Sequence, residues 1–193
     1  MKSIWEDELN SDQLLWRYFK TSRFLSFLET STLFFAPVTQ FDDPLEGAVA
    51  VIPPELIGPR YAKLDFLDRA LKELKDDINV NCWHDAEHES NEMWSLYADE
   101  SKGVVICSTM NRMQSAIAPF YFTPQAREPE QLWGGLVRYV DLTKLRLNAN
   151  GIERFFYKHA VFEFEREFRL AFNLEHARLW DGRTQPEWSL CFR

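Results

Sequence analysis

Two glutamates and an arginine near the C-terminal end of the chain have the residue types and spacing expected of a reaction site. Glu165, Glu167 and Arg169 alternate with apolar residues in the stretch 162–172, which predicts a half-buried strand with all three on one face. Neighbouring carboxylates suit acid–base chemistry, because one can stay ionised while it raises the pKa of the other. Arg169 would bind an anion or steady Glu167. The alternative is a solvated strand face of mixed charge, to which Glu163 would also belong.

A second acidic group lies in the loop FDDPLEG. Asp42, Asp43 and Glu46 place three carboxylates within five positions, a set that suits Mg²⁺ with its water ligands. The simpler interpretation is a turn, with Asp43 before Pro44 and Asp42 accepting backbone N–H groups.

The segment HDAEH carries two histidines around a glutamate. His84, Glu87 and His88 match the His-x-x-Glu-His pattern of inverted zinc peptidases, which needs a helix that presents both histidines on one face. Residues 85–92 have almost no apolar stripe, so the pattern favours a polar loop after a strand. His84 alone remains a candidate acid, base or ligand contact.

Aromatic residues in MWSLYAD follow helical spacing. Met93, Trp94 and Tyr97 are typical of core packing, but the polar tips of Trp and Tyr also suit the wall of a pocket for a flat ring such as a nucleobase.

The elements that would position these residues alternate irregularly along the chain. We expect strands at 14–19, 32–36, 78–83, 103–108, 136–142 and 162–172. We expect helices at 61–77, with a Leu64, Leu67, Leu71 and Leu74 stripe, and at 92–99, 110–118 and 152–160; a further helix is capped by Ser22 and has Phe24, Leu25 and Leu28 on one side. This order predicts an α+β fold, a single domain over 1–193 with a bent or split mixed β-sheet flanked by helices. Residues 1–13 would be an N-terminal extension and 176–193 an irregular C-terminal tail.

Composition limits the class of protein. The 193 residues are 46% hydrophobic, which is enough for a core, and the net charge is −8. An acidic chain gains little binding free energy from counterion release on the phosphate backbone of DNA or RNA, so nucleic acid is disfavoured as a partner. No apolar run is long enough to span a membrane and the acidic N-terminus lacks a signal segment, so we expect a cytoplasmic protein.

Four blocks in the same order resemble domain of unknown function family 2971. They are LLWRYF around Arg17 and Tyr18, the stretch 32–46 ending in FDDPLE, the stretch 82–103 with MWSLYAD and then Lys-Gly, and the Glu-x-Glu-x-Arg series after Lys158. The family more usually has Asn at position 42 and Ser at position 84. The resemblance implies a small prokaryotic α+β domain, often found in a defence or toxin-like context, and it implies no particular reaction.

The opening of the chain also resembles the ADP-ribosyltransferase fold, in which a first strand, a helix and a second strand precede a late strand with the catalytic Glu. That resemblance implies that Arg17 holds the diphosphate or ribose of NAD and that Tyr18 or Phe35 stacks near the nicotinamide. Glu165 or Glu167 would stabilise the oxocarbenium-like ribose and polarise its 2′-hydroxyl. Thr39 is the nearest match to the small polar residue after the second strand.

The leading hypothesis is therefore an enzyme that binds a nucleotide-like ligand, an ADP-ribosyltransferase-like toxin or antiphage effector with NAD as substrate and Glu167, then Glu165, as catalytic residues. The ligand-binding set is Arg17, Tyr18, Asp42, Asp43, His84, Trp94, Tyr97 and Arg169. The alternative is a non-catalytic domain that senses a ligand or binds a protein target. A third, weaker hypothesis is a metal-dependent hydrolase that uses Asp42, Asp43, Glu46 and His84.

Overall fold

A mixed β-sheet with helices packed against it forms the framework of this protein, as seen in a computed structural model. The structure describes residues 1–5, 10, 12–49, 72, 74–98, 102–149, 151–175 and 188–191. The strands are β1 (Lys2–Ser3), β2 (Leu14–Phe19), β3 (Thr32–Pro37), β4 (Ile78–Asp85), β5 (Val104–Thr109), β6 (Trp133–Leu136), β7 (Arg138–Val140), β8 (Tyr157–His159), β9 (Glu167–Asn173) and β10 (Trp188–Cys191). The helices are α1 (Thr21–Thr30), α2 (Asn91–Tyr97) and α3 (Met110–Ala116), with 3-10 turns at Val38–Gln40, Gly151–Phe156 and Ala160–Glu165. The predicted α+β class is confirmed.

The sheet divides along one edge of its central strand. Its order is β1-β6-β9-β4-β2-β5, and β3 pairs with both β4 and β10. Since β9 occupies one edge of β4 over nearly its whole length, β2 and β3 share the other edge. β2 pairs with β4 at residues 84–85 and β3 pairs with it at residues 79–80. Among the described residues, 81–83 therefore have no strand partner on that edge, which is the split in the sheet.

The predicted strand at 162–172 is wrong in its first half. Residues Ala160–Glu165 form a 3-10 turn, and strand β9 begins only at Glu167. Arg166, the residue that breaks the alternation of the sequence, ends the turn in the left-handed region at φ 39°. Glu165 and Glu167 therefore project from different elements, and only Glu167 and Arg169 share the predicted strand face.

Four other regions differ from the prediction. The predicted helix at 152–160 is a 3-10 turn followed by β8, and the predicted strand at 136–142 is divided into β6 and β7. The division lies at Val137, whose N–H donates to the Glu167 carbonyl before the chain leaves β9 to pair with β8. Within the predicted C-terminal tail, Trp188–Cys191 is a strand on β3, and at the predicted N-terminal extension Lys2–Ser3 pairs with β6.

Helix α1 lies on the surface, whereas apolar residues on one side of a helix are expected to be buried against the core. The residue before it is Lys20, so Ser22 is not its cap, and no residue of the helix is buried. Leu25 and Leu28 are 51% and 56% exposed. Phe24 and Phe27 instead pack on Phe19 at ring distances of 5.9 Å.

Helix α2 begins where the sequence indicated. The Ser90 hydroxyl accepts a hydrogen bond from the Met93 N–H, which caps the helix. Most of the helix predicted at 61–77, with Leu64, Leu67 and Leu71, lies outside the described residues. Residues 74–77 are helical, and Leu74 packs against the core.

Apolar clusters cover both faces of the sheet. One face carries Leu15, Trp83, Phe168, Leu170 and Phe172 against α3. On the other face, Val80 and Ala171 pack on Phe155 and Phe156 of the 3-10 turn. Within the described ranges, no helix is long and apolar enough to cross a membrane.

Candidate active site

A cavity of about 400 Å³ opens at the split in the sheet. Strands β2, β3 and β4 line it on one side, and α2, the loop after β3 and the segment around β8 close it on the others. The lining residues are Trp16, Arg17, Tyr18, Ala36, Gln40, Phe41, Asp42, Asp43, Glu46, Val80, Cys82, Trp83, His84, Met93, Tyr97, Lys158, Phe162, Glu165 and Glu167. The apolar and aromatic majority with a few charged groups is typical of a small-molecule site.

Strand pairing brings part of this lining together. β4 and β9 are antiparallel, with His84 opposite Glu167 and Cys82 opposite Arg169. Residues directly opposite each other point to the same side of a sheet, so these four side chains share one face. Phe168, Leu170 and Phe172 of β9 then point to the opposite face, where they join the core.

Five buried charged groups form an unbroken chain behind and along the cavity wall. Arg169 binds Glu46 through two hydrogen bonds of 2.6 and 3.2 Å, and its Nε lies 2.5 Å from Glu167 Oε2. Lys158 Nζ lies 2.7 Å from Glu167 Oε1 and also donates to Glu165 Oε2. The order Glu46, Arg169, Glu167, Lys158, Glu165 alternates negative and positive charge. With every group ionised, three carboxylates face two cations, so the chain carries one net negative charge.

The two glutamates differ in protonation because their surroundings differ. Glu167 is held between two cations, and the charge of Arg169, with Glu165 and Lys158, keeps the pKa of its carboxyl well below the usual range despite burial. Burial raises the pKa of Glu165 to about 7, and the hydrogen bond and negative charge of Glu167 act in the same direction. Lys158 opposes this rise only in part. At neutral pH the site therefore offers one fixed carboxylate and one carboxyl able to exchange a proton.

Two tyrosines form hydrogen bonds with the two glutamates, one with each. The Tyr97 hydroxyl donates to Glu165 Oε1 at 2.8 Å, and burial together with the charge of Glu165 raises the pKa of this phenol, which keeps it protonated. The Tyr139 hydroxyl accepts the Glu167 N–H at 2.7 Å and fixes the start of β9. Tyr97 is the one that reaches the cavity.

His84 is tied to the 3-10 turn that carries Glu165. Its Nδ1 lies 2.7 Å from the Glu165 carbonyl oxygen. A carbonyl only accepts hydrogen bonds, so Nδ1 carries the proton, and Nε2 of the neutral ring is an acceptor. Asp85 still belongs to β4, Glu87 and His88 lie in the predicted loop beyond it, and no zinc-peptidase helix is present in this segment.

Arg17 extends from β2 into the split. One of its terminal nitrogens donates to the Cys82 carbonyl of the unpaired edge of β4, and its Nε is buried without a partner among the described residues. Burial lowers the pKa of Arg17 to about 10, so the guanidinium stays charged at neutral pH. Within the described part of the chain no carboxylate pairs with it, although it lines the cavity. A half-buried cation of this kind is suited to an anionic ligand group.

The acidic loop after β3 combines a turn with a buried anchor. Residues 44–47 form the predicted turn, but Asp43 accepts the backbone N–H, that of Leu45 at 2.8 Å, in place of the predicted Asp42, which is exposed at the cavity edge. Glu46 is buried on Arg169 and is not a free ligand. In the described ranges, no three His, Cys, Asp or Glu side chains are grouped so as to hold a metal ion. The metal hypothesis therefore finds no site in this part of the chain.

Most of the predicted site residues meet in this cavity. Arg17, Tyr18, Asp42, Asp43, His84, Tyr97, Glu165 and Glu167 all line it. Trp94 lies behind Tyr18, at a ring distance of 5.6 Å, and its indole N–H donates to Glu89. Arg169 is fully buried behind Glu167, so it supports that carboxylate and does not face the cavity. Phe35 is in the core, where its ring packs on Phe172, and Thr39 is exposed outside the cavity.

Lys158 is a charged residue of the cavity wall that sequence reasoning missed. It stands at the start of the Glu-x-Glu-x-Arg block, but nothing in its neighbours indicated that its ammonium group would be buried between two carboxylates. The available signal was a lysine at the end of a mostly aromatic run, Phe155 to Tyr157, where a solvent-facing lysine is less expected.

Comparison of the chain with protein-family models gave no match, and the comparisons with curated proteins and with solved structures gave none either. The geometry of the cavity is therefore the basis for assigning a function.

Proposed function

We propose that the protein is an enzyme that cleaves the bond between nicotinamide and ribose in NAD and transfers the ADP-ribosyl group to water or to a protein side chain. The observation that carries this proposal is the pair Glu165 and Glu167, which share one cavity but differ in protonation. Glycosyl transfer through a positively charged sugar needs a fixed negative charge and a separate proton acceptor, and two carboxyls in unlike surroundings supply both.

In this scheme the ribose C1′–N bond breaks and its electron pair passes to the ring nitrogen, so neutral nicotinamide leaves. Positive charge develops on the ribose next to Glu167, whose carboxylate stabilises it. A water molecule or an acceptor side chain then attacks C1′, and its proton passes to the Glu165 carboxylate. Tyr97 holds that carboxylate through its hydroxyl group.

The rest of the cavity fits the parts of such a ligand. Arg17 is a half-buried cation suited to the diphosphate. Tyr18, Phe41 and Phe162 supply aromatic surface for the nicotinamide or adenine ring. A volume of about 400 Å³ falls within the roughly 300–1,000 Å³ of ligand sites.

Incubation of the purified protein with NAD tests the proposal. Liquid chromatography should show nicotinamide release with ADP-ribose or an ADP-ribosylated protein as the second product. Calorimetric binding of NAD without turnover would instead support the ligand-sensing alternative. Neither binding nor turnover, in a protein shown to be folded, would remove NAD as the ligand. Growth arrest on overproduction, relieved in an inactive variant, would connect turnover to an effector role.

A further inference from the structure

We propose that Lys158 is a positioning residue: its ammonium group bridges the two carboxylates and determines which of them exchanges a proton with the ligand. The inference deepens the proposed function and rests on it, because it assigns the control of proton transfer at the same site. It concerns a residue that acts through Glu165 and Glu167.

The position of Lys158 in the chain of charges supports this role. Among the described residues, Glu167 has two cationic neighbours, Lys158 and Arg169, whereas Glu165 has only Lys158. Glu165 and Glu46 are the two ends of the chain, but Glu46 accepts two hydrogen bonds from its cation, whereas Glu165 accepts one from Lys158. Protonation of Glu165 therefore leaves two carboxylates facing two cations and removes the net buried charge, which makes it the carboxyl that gains most from a proton.

The surroundings of Lys158 hold its ammonium group against Glu165 and Glu167. The residue is buried, and its Nζ lies 4.6 Å from the centre of the Phe162 ring, which covers it on one side. Lys158 belongs to β8, Glu165 to the 3-10 turn and Glu167 to β9, so one ammonium group connects three elements of the cavity wall. A cation at this point brings the two carboxylates together and at the same time limits their repulsion.

In the part of the chain that the structure describes, four elements place a group next to Glu165. These groups are Lys158 of β8, Glu167 of β9, Tyr97 of α2 and His84 of β4, which holds the main-chain carbonyl of the same residue. Within this set Lys158 is the permanent cation. Its removal therefore leaves Glu165 beside a fixed negative charge without compensation, and proton binding to Glu165 should tighten.

The test is a titration of Glu165 by carbon-13 NMR of selectively labelled glutamate carboxyls, with the resonance assigned by its loss in Glu165→Gln. In Lys158→Met the midpoint should move to higher pH by about one to three units. Lys158→Arg keeps the charge and should titrate close to the wild type. An unchanged midpoint in Lys158→Met would overturn the proposal.

A second pair of variants covers the case in which Lys158→Met fails to fold. Glu167→Gln removes the neighbouring negative charge and should lower the midpoint of Glu165. Lys158→Met/Glu167→Gln removes one cation and one anion, and its midpoint should lie above that of Glu167→Gln by a similar one to three units or so. Equal midpoints in these two variants would contradict the proposal.

The titration is independent of NAD, so the two claims fail separately. In a catalytically active enzyme, the acid limb of the pH–rate profile should move with the NMR midpoint in Lys158→Met. A limb that stays in place while the midpoint moves would show that Glu165 is not the proton acceptor and would overturn the positioning role. No NAD turnover by the wild type, with the predicted titrations observed, would remove the proposed reaction while the coupling through Lys158 stands.

Discussion

Arg169 and Glu46 stand 123 positions apart in the sequence and form a two-bonded ion pair in the interior, with Nη1 2.6 Å from Oε1 and Nη2 3.2 Å from Oε2. This ion pair connects the loop after β3 to β9, and so links two walls of the cavity. Arg169 also donates to the Phe155 carbonyl at 2.6 Å, which ties in the 3-10 turn beneath.

Glu46→Gln should destabilise the protein by about 3–5 kcal/mol, because it leaves a buried guanidinium with one carboxylate in place of two. Glu163→Gln makes the same chemical change at an exposed position and should alter the free energy of unfolding by less than about 0.5 kcal/mol. Urea unfolding of both variants measures the difference. Equal stability of the two would show that the ion pair does not hold the loop.

Glu165 should make stability depend on pH in a defined window. Its pKa is raised in the folded protein to about 7, so it binds a proton more tightly folded than unfolded. The stability it contributes is complete below its unfolded pKa, near 4.5, and is lost as pH rises towards about 7. The free energy of unfolding of the wild type should therefore fall relative to that of Glu165→Gln across this window. Above about pH 7 the difference between the two proteins should stay constant. A difference that stays constant from pH 4 to 8, or one that grows in favour of the wild type, would contradict the assignment.

Tyr97→Phe removes the hydroxyl that donates to Glu165 and leaves the ring in place. We expect a loss of about tenfold or more in the rate of nicotinamide release, since a hydrogen bond to a charged group contributes roughly 1.5–3 kcal/mol. Tyr121→Phe is the matched control, because Tyr121 is exposed and lies outside the cavity. Comparable rates for Tyr97→Phe and Tyr121→Phe would show that the hydroxyl has no part in the reaction.

Arg17→Lys keeps a positive charge but loses the planar fork that both binds the Cys82 carbonyl and faces the cavity. NAD affinity measured by calorimetry should fall by about tenfold, while the catalytic rate at saturation changes less, because the anion is held equally in the ground state and the transition state. Arg23→Lys on the exposed helix α1 is the control. Unchanged affinity in Arg17→Lys would place the anionic part of the ligand elsewhere.

Most of the residues predicted for a site line one cavity, whereas several of the predicted elements that carry them are wrong. Period-two spacing at 162–172 suggested one strand, but the single irregular residue, Arg166, turns the chain in the left-handed region and moves Glu165 onto a 3-10 turn. The alternation of apolar and polar residues indicates which side chains are buried and the type of element. It does not show that a single residue turns the chain and ends the element. The glutamates still meet because that turn folds back onto β9.

No local sequence pattern predicts which residues form ion pairs with the buried glutamates. Lys158 is seven and nine positions from the carboxylates it bridges, and Glu46 is 123 positions from Arg169. The acidic loop contains the predicted turn, with Asp43 and not Asp42 as the acceptor of the backbone N–H. The burial of Glu46 depends on β9, which enters the sheet more than a hundred residues later. Trp94 and Tyr97 were both predicted as pocket residues from the polar tips of their rings. Tyr97 lines the cavity, whereas Trp94 lies one layer away, behind Tyr18.

The most direct measurement compares nicotinamide release from NAD by Glu165→Gln, Glu167→Gln and Glu163→Gln with that by the wild type at equal folded concentration. Each change keeps the shape of the side chain and removes one carboxylate. We predict that Glu165→Gln and Glu167→Gln lose at least about a hundredfold in rate, since removal of a charge-stabilising or proton-accepting group costs roughly that much. Glu163→Gln, exposed on the same 3-10 turn as Glu165, should match the wild type. Wild-type rates in all three variants would show that the carboxylate pair is structural and would contradict the transferase assignment.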